Sequence, residues 1–155
     1  MTATTDTHGA SRPPSPVAAP AIELRNVDIV FADRPAEALR LLDAGRSREE
    51  ILEATDAVIG AAGVSLTIAP GEICVLMGLS GSGKSTVLRA INGLNRVSRG
   101  AVLLADGAGV VDVASCAPEV LRRLRQSRVT MVFQQFGLLP WRTVRENVGF
   151  GLELA

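Results

Sequence analysis

"GLSGSGKST", Gly78 to Thr86, follows the apolar run "EICVLM", Glu72 to Met77, and leads into "VLRAINGL", Val87 to Leu94. Five successive apolar residues ahead of a glycine-rich loop read as a strand covered on both faces. Val87, Leu88, Ile91 and Leu94 recur at helical spacing, so the order is strand, tight turn, helix start, with Gly93 near Asn95 as a stop. That order is the one an anion site at a helix N-terminus requires.

Gly78, Gly83, Lys84 and Ser85 satisfy the pattern G-x-x-x-x-G-K-[ST], with Thr86 as a second hydroxyl. Glycines let backbone N–H groups curl around phosphate oxygens without side-chain collision, and the helix beginning near Lys84 adds its positive end. Gly78, Ser80, Gly81, Ser82, Gly83, Lys84, Ser85 and Thr86 are therefore the expected phosphate contacts. Lys84 reaches the β- and γ-phosphates, and the Ser85 hydroxyl is the expected ligand of a bridging Mg²⁺. A chance match in a chain of this length is on the order of 1 in 200 before the flanking strand and helix are required. A flexible surface loop is the competing reading, and the apolar run and amphipathic helix on either side weigh against it. A nucleoside triphosphate, ATP, with Mg²⁺ is the expected ligand.

Working outward, Ala21 begins a strand-like text, "IELRNVDIVF", whose alternation breaks at Asn26 and predicts one bent strand or two short ones. From Ala32 the period becomes helical. Pro35 suits a first turn, Ala38, Leu41 and Leu42 share a face, Gly45 fits a C-terminal cap, and Ser47 with Glu50 offers a capping box for a second short helix. "VSLTI" alternates as a half-buried strand. "GAVLLADGAGVVDVA" reads as two strands around a turn at Asp106 and Gly107, followed by a helix from about Pro118. "RVTMVF" is a further apolar strand, and Thr143 with Glu146 marks a capping box for a last helix. Asp106 closes an apolar run and superficially resembles a metal-binding strand end, but Asp-Gly at that place is a turn.

The bulk properties exclude more than they name. The chain has 155 residues, suiting one domain with a real core, and its 16 basic residues balance 16 acidic ones, so charge points to neither nucleic acid nor anionic lipid. Cys74, in the apolar run and expected to be buried, and Cys116, in a loop, suggest no disulfide framework. Residues 1–20 are rich in Pro, Ser, Thr and Ala and are expected to be a disordered tail. His8, the only histidine, lies in that tail without partner ligands and is assigned no metal or catalytic role. No stretch reaches the ~18 uncharged apolar residues a membrane-spanning helix needs.

A second motif gives the loop its company. "MVFQQFGLLPWRTVRENV" resembles the Q-loop region of ABC transporter ATPases, where an apolar strand ends in Phe-Gln and a Leu-Pro loop leads to a helical subdomain. The resemblance implies that Gln134 is the Q-loop glutamine, touching the Mg²⁺ and water region and linking nucleotide state to a membrane partner. An ordinary polar residue at a strand end is the alternative for Gln134. "IELRNVDIVF" is similar to the family's opening strand, whose closing aromatic stacks on adenine; Phe31 stands there, with a plain core aromatic as its alternative. "MGLSGSGKST", the helical insertion at about residues 32–60 and "FGLLPWRTVRENVGFGLELA" resemble the glycine betaine, proline and choline importer branch.

The resemblance implies an α/β fold: a P-loop NTPase, ABC ATPase-like core, a mixed sheet with an antiparallel β-subdomain, and a truncated helical subdomain. It covers residues 21–155, which on this reading are the N-terminal part of a nucleotide-binding domain. It implies a transport ATPase with Lys84 and Gln134 as catalytic residues and Gln134 beside Ser85 at the metal. The implied partners are a membrane permease, a second ATP-binding subunit and, indirectly, a substrate-binding protein. The implied place is the inner face of a bacterial plasma membrane, and the implied solute a quaternary amine such as choline or glycine betaine. The family's L-S-G-G-Q signature, Asp-Glu strand end and switch His are not in this sequence. A catalytically inactive nucleotide-binding or regulatory module is therefore a rival expectation. A soluble P-loop ATPase of translation or DNA repair is a third, with the balanced charge against it. Leu138, Leu139 and Trp141, in the "LLPW" loop, mark either a partner surface or a local cover.

Overall fold

The computed structural model describes residues 19–107, 109–133 and 137–153. Strand β1 (Ile22–Phe31) is the hub: it pairs antiparallel with β2 (Val58–Ile68) on one side and with β3 (Arg99–Ala105) on the other, and β3 pairs antiparallel with β4 (Val110–Asp112). The order β2-β1-β3-β4 is a single antiparallel sheet. Leu24 and Val27 are three residues apart, a spacing that sends side chains to opposite faces of a regular strand, yet both are buried in one cluster. The register shift between them, with Asn26 at φ 45°, is the bulge that reconciles the two. Gly100 on β3 makes room for it, because a side chain there collides with the Asn26 carbonyl. The break read at Asn26 is thus a bulge within one strand.

Two apolar clusters build the core. Leu24, Val27, Ile29, Val102 and Leu104 of the sheet pack with Val87, Ala90 and Ile91 of α3 (Lys84–Ile91) and Leu124 of α4 (Pro118–Ser127). On the other face, Val30 and Ile59 pack with Ala38 of α1 (Pro35–Asp43) and Ile51 of α2 (Arg48–Thr55). The local signals hold: Pro35 lies in the first turn of α1, and Ser47 and Glu50 form the capping box of α2. Its two hydrogen bonds run from Glu50 N to Ser47 Oγ and from Ser47 N to the Glu50 carboxylate. Accepting that amide holds the Glu50 carboxyl below its ordinary value. Val58–Gly60, expected in the helical insertion, instead open β2, because Val58 and Ile59 pair with Phe31 and Val30.

A charged chain ties the inserted helices to the sheet. The buried Asp28 carboxylate accepts from Gly63 N and from Arg99 Nε, both at 2.6 Å. The remaining Arg99 nitrogens grip Asp43, the last residue of α1, at 2.7 Å each. The guanidinium hydrogen bonds draw the Asp43 carboxyl below its ordinary value and raise Arg99 further.

Three expectations are corrected. Residues 73–77, read as a buried strand, and 128–133, read as an apolar strand, form no ladder among the described residues. Ile73, Val75 and Met77 are 70–90% exposed and Val132 is 94% exposed. Apolar runs state what a segment buries well, but a strand exists only with a hydrogen-bonding neighbour. For the same reason Cys74, expected to be buried, is exposed. The mixed sheet expected around the loop is accordingly not formed among the described residues, whereas the antiparallel β-subdomain is. The Asp106–Gly107 turn is as read: Asp106 N donates to Gly109 O at 3.0 Å, and the Asp106 carboxylate pairs with Arg123. The larger part of the proposed tail, with His8, lies outside the described residues.

Candidate functional site

Gly83 is the N-cap of α3 in the left-handed region, φ 91°, and offers no side chain to cap the helix. The first-turn amides of Lys84, Ser85 and Thr86 therefore lack the Ser, Thr or Asp that ordinarily satisfies a helix N-terminus. Gly81 at φ 79° turns the chain a second time, and Ser82 N donates to Leu79 O at 3.2 Å to close the loop. Val87 N returns to Gly83 O at 2.9 Å, so the helix starts at once. The result is an exposed loop at the positive end of a helix.

Lys84 folds across this loop. Its Nζ donates to Gly78 O at 2.8 Å, Leu79 O at 2.6 Å and Ser82 Oγ at 3.2 Å. The ammonium is thus held at the loop by its own carbonyls, on a flexible stem that can exchange one of them for an anion. Gly78 to Ser82 and Ser85 are exposed, and Lys84 and Thr86 are half-buried. Thr86 is fixed from behind, where Asn95 Nδ2 donates to its carbonyl at 3.1 Å.

Phe31 closes β1 at 46% exposure, and the fold brings it to the same place. A Cβ built on Gly60 of β2 lies 2.6 Å from Phe31 Cε2 and 2.9 Å from Thr86 Cγ2. The aromatic ring and the first turn of α3 therefore converge above one glycine. Sequence reasoning used Gly60 only as the end of the insertion, although a glycine inside a strand text is the signal of a close approach. A cavity of about 970 Å³ opens beside Phe31, between the start of α1 and residues 94–98, and none of residues 78–86 lines it.

The donor set fits a triphosphate with its metal. Exposed amides, one ammonium and the Ser85 and Thr86 hydroxyls gather at one helix end. Among the described residues no group of three or more His, Cys, Asp or Glu gathers to hold a cation by itself. A cation at Ser85 would thus share its ligands with phosphate oxygens, as Mg²⁺ does in nucleotide sites. Gln134, the other expected metal and catalytic residue, lies outside the described residues.

Beyond the loop, α5 (Val144–Glu153) begins with the expected capping box: Thr143 N donates to Glu146 Oε2 at 2.7 Å and Glu146 N to Thr143 Oγ1 at 3.3 Å. The Thr143 amide, and then the Thr143 hydroxyl donating to the same oxygen at 2.8 Å, hold the Glu146 carboxyl low. Asn147, which sequence reasoning did not single out, ties the loop to the helix by accepting from Leu139 N at 2.8 Å and donating to Arg142 O at 3.1 Å. Trp141, Val144, Val148 and Leu152 are each about 75–83% exposed. Among the described residues no helix is long and apolar enough to cross a membrane.

Comparison with known proteins converges on one family. Residues 61–154 match the ABC transporter family. The glycine betaine/proline betaine transport system ATP-binding protein ProV of Escherichia coli is 45% identical over 134 residues, covering 86% of this chain and 32% of ProV. The glycine betaine transport ATP-binding protein OpuAA of Bacillus subtilis is 38% identical over 133 residues, covering 86% of this chain and 31% of OpuAA. Among solved structures, the dimeric post-hydrolysis state of the ATP-binding cassette MJ0796 bound to ADP and Pi superposes with a TM-score of 0.63. It is 28% identical, covering 86% of this chain and 47% of that one. The chain thus spans about a third of the length of the curated relatives it matches.

Proposed function

From the premise that this chain belongs to the ABC transporter family, we propose that it carries the ATP-binding face of an importer's ATPase subunit. The observation that carries the reading is the Lys84 ammonium, held by loop oxygens at the uncapped start of α3, with Phe31 brought beside the same helix turn. Lys84 exchanges a loop carbonyl for a β- or γ-phosphate oxygen, and the amides of residues 81–86 receive the rest of the anion. Ser85 would hold Mg²⁺, which when bound supplies positive charge against the phosphate anion. Thr86 supplies a second hydroxyl, and Phe31 stacks on the base.

Hydrolysis belongs to the proposal in its full-length form, with Gln134 linking the metal to a membrane permease and a second ATP-binding subunit opposing the loop. The solute is proposed to be a quaternary amine such as glycine betaine or choline. Similarity to betaine transport proteins supports the class. The permease would hold the subunit at the inner face of the membrane.

Calorimetric titration with ATP and Mg²⁺ tests the binding core of this reading. Lys84→Ala removes a charge-assisted contact, so affinity is expected to fall by about 10- to 100-fold. A folded Lys84→Ala protein with wild-type affinity would sink it.

A further inference from the structure

We propose that Gly60, on β2, is a positioning residue that sets the base-stacking ring of Phe31 against the phosphate loop. The inference rests on the nucleotide reading above and adds to it a residue outside the loop. Ile59 and Ala61 on either side pair with Val30 and Ile29 and are buried at 5% and 4% exposure, in the two clusters on opposite faces of the sheet. The register shift between those two pairs makes Gly60 the extra residue of a bulge, and a side chain there would meet Phe31 and Thr86.

Three parts of the site meet this residue. Phe31 Cε2 and Cδ2 lie 2.6 and 3.3 Å from the position of a Gly60 Cβ, and Thr86 Cγ2 lies 2.9 Å from it. From the loop, Gly83 packs on the Gly60 carbonyl so closely that a side chain at Gly83 collides with it. The Gly60 backbone is thus the floor on which the loop rests, and its missing side chain is the space that the ring occupies.

These contacts respond differently to a methyl group at Gly60. Thr86 sits in a helix and is held through its carbonyl by Asn95. Phe31 is the terminal residue of its strand, and its half-exposed ring is free to swing outward. The Gly60 carbonyl is unaltered by the substitution, so the floor under Gly83 remains. Gly60→Ala therefore displaces the ring and spares the loop.

The test compares two ligands, each with Mg²⁺: ATP, which uses base and phosphates, and inorganic tripolyphosphate, which uses the phosphates alone. Gly60→Ala is expected to weaken ATP binding about 5- to 100-fold, the scale of one lost base–aromatic stack, and to leave tripolyphosphate affinity within about twofold. In a Phe31→Ala background, Gly60→Ala is expected to change neither affinity. Equal losses for both ligands, no loss for ATP, or a further loss in the Phe31→Ala background would overturn the proposal. Failure of the wild-type protein to bind either ligand would instead remove the nucleotide reading, and this inference with it. Should Gly60→Ala alone fail to fold, Phe31→Ala and the double variant decide, since removing the ring takes away the nearest contact and leaves only the Thr86 methyl group, at 2.9 Å, against the added one.

Discussion

Lys84 bonds to oxygens five and six residues earlier in its own loop, so its placement is a local matter. Nine consecutive residues of sequence are therefore enough to place it. The same holds for Ser85 and Thr86, which the helix carries with it. Gly83 is local in conformation but not in contact: its left-handed φ is set by the turn, and its packing on Gly60 by a strand 23 residues away. Gly83→Ala meets both a left-handed penalty of roughly 1–2 kcal/mol and a collision with backbone. It is expected to lower ATP and tripolyphosphate affinity together, by more than about tenfold, as titration would show; a loss confined to ATP would contradict the packing. Gly60 was out of reach because nothing in "VIGAAG" says which side chain lies across it.

Helix boundaries were legible where a short pattern closes its own hydrogen bonds. Ser47 with Glu50 and Thr143 with Glu146 both form their capping boxes. Ser47→Ala should cost about 1 kcal/mol, seen as a lower midpoint in urea; an unchanged midpoint would mean that α2 is held wholly by Ile51. The strands were less legible, since "ICVLM" and "RVTMVF" carry the composition of strands without naming a neighbour. The α1 anchor also has a pH signature. Asp43 titrates below its ordinary value beside Arg99, so its contribution is complete above the usual carboxylate range and fades as pH falls through the depressed value. Between pH 6 and about 3, the Asp43→Asn protein should lose less melting temperature than the wild type; parallel curves would show that the ion pair is slack.

At the scale of the whole molecule, order is concentrated where the sheet and its two clusters are. β1 is flanked on both edges and buries Leu24, Val27 and Ile29 at 0–1% exposure, while residues 73–79 present Ile73, Met77 and Leu79 to solvent. Amide exchange should divide the chain accordingly. Amides of β1 that face β2 and β3 should be the slowest, and those of residues 73–77 and 129–133 should exchange orders of magnitude faster. Comparable protection would mean that these runs have found strand partners, in a second copy or elsewhere. The family was legible at this scale because two motifs stand at a compatible spacing.

The place of β1 at the centre of the sheet also has a consequence in time. Its first neighbour, β2, ends at Ile68, but its second, β3, is complete only at Ala105. A ribosome adding roughly 5–20 residues per second needs about 2–7 s to cover the difference. During that interval the nascent chain holds a hairpin of β1 and β2 whose outer edge is open. Arg99, which joins Asp28 to Asp43, emerges at the start of the strand that closes that edge. Synthesis therefore delivers the clasp of α1 and the cover of β1 in the same short stretch of chain.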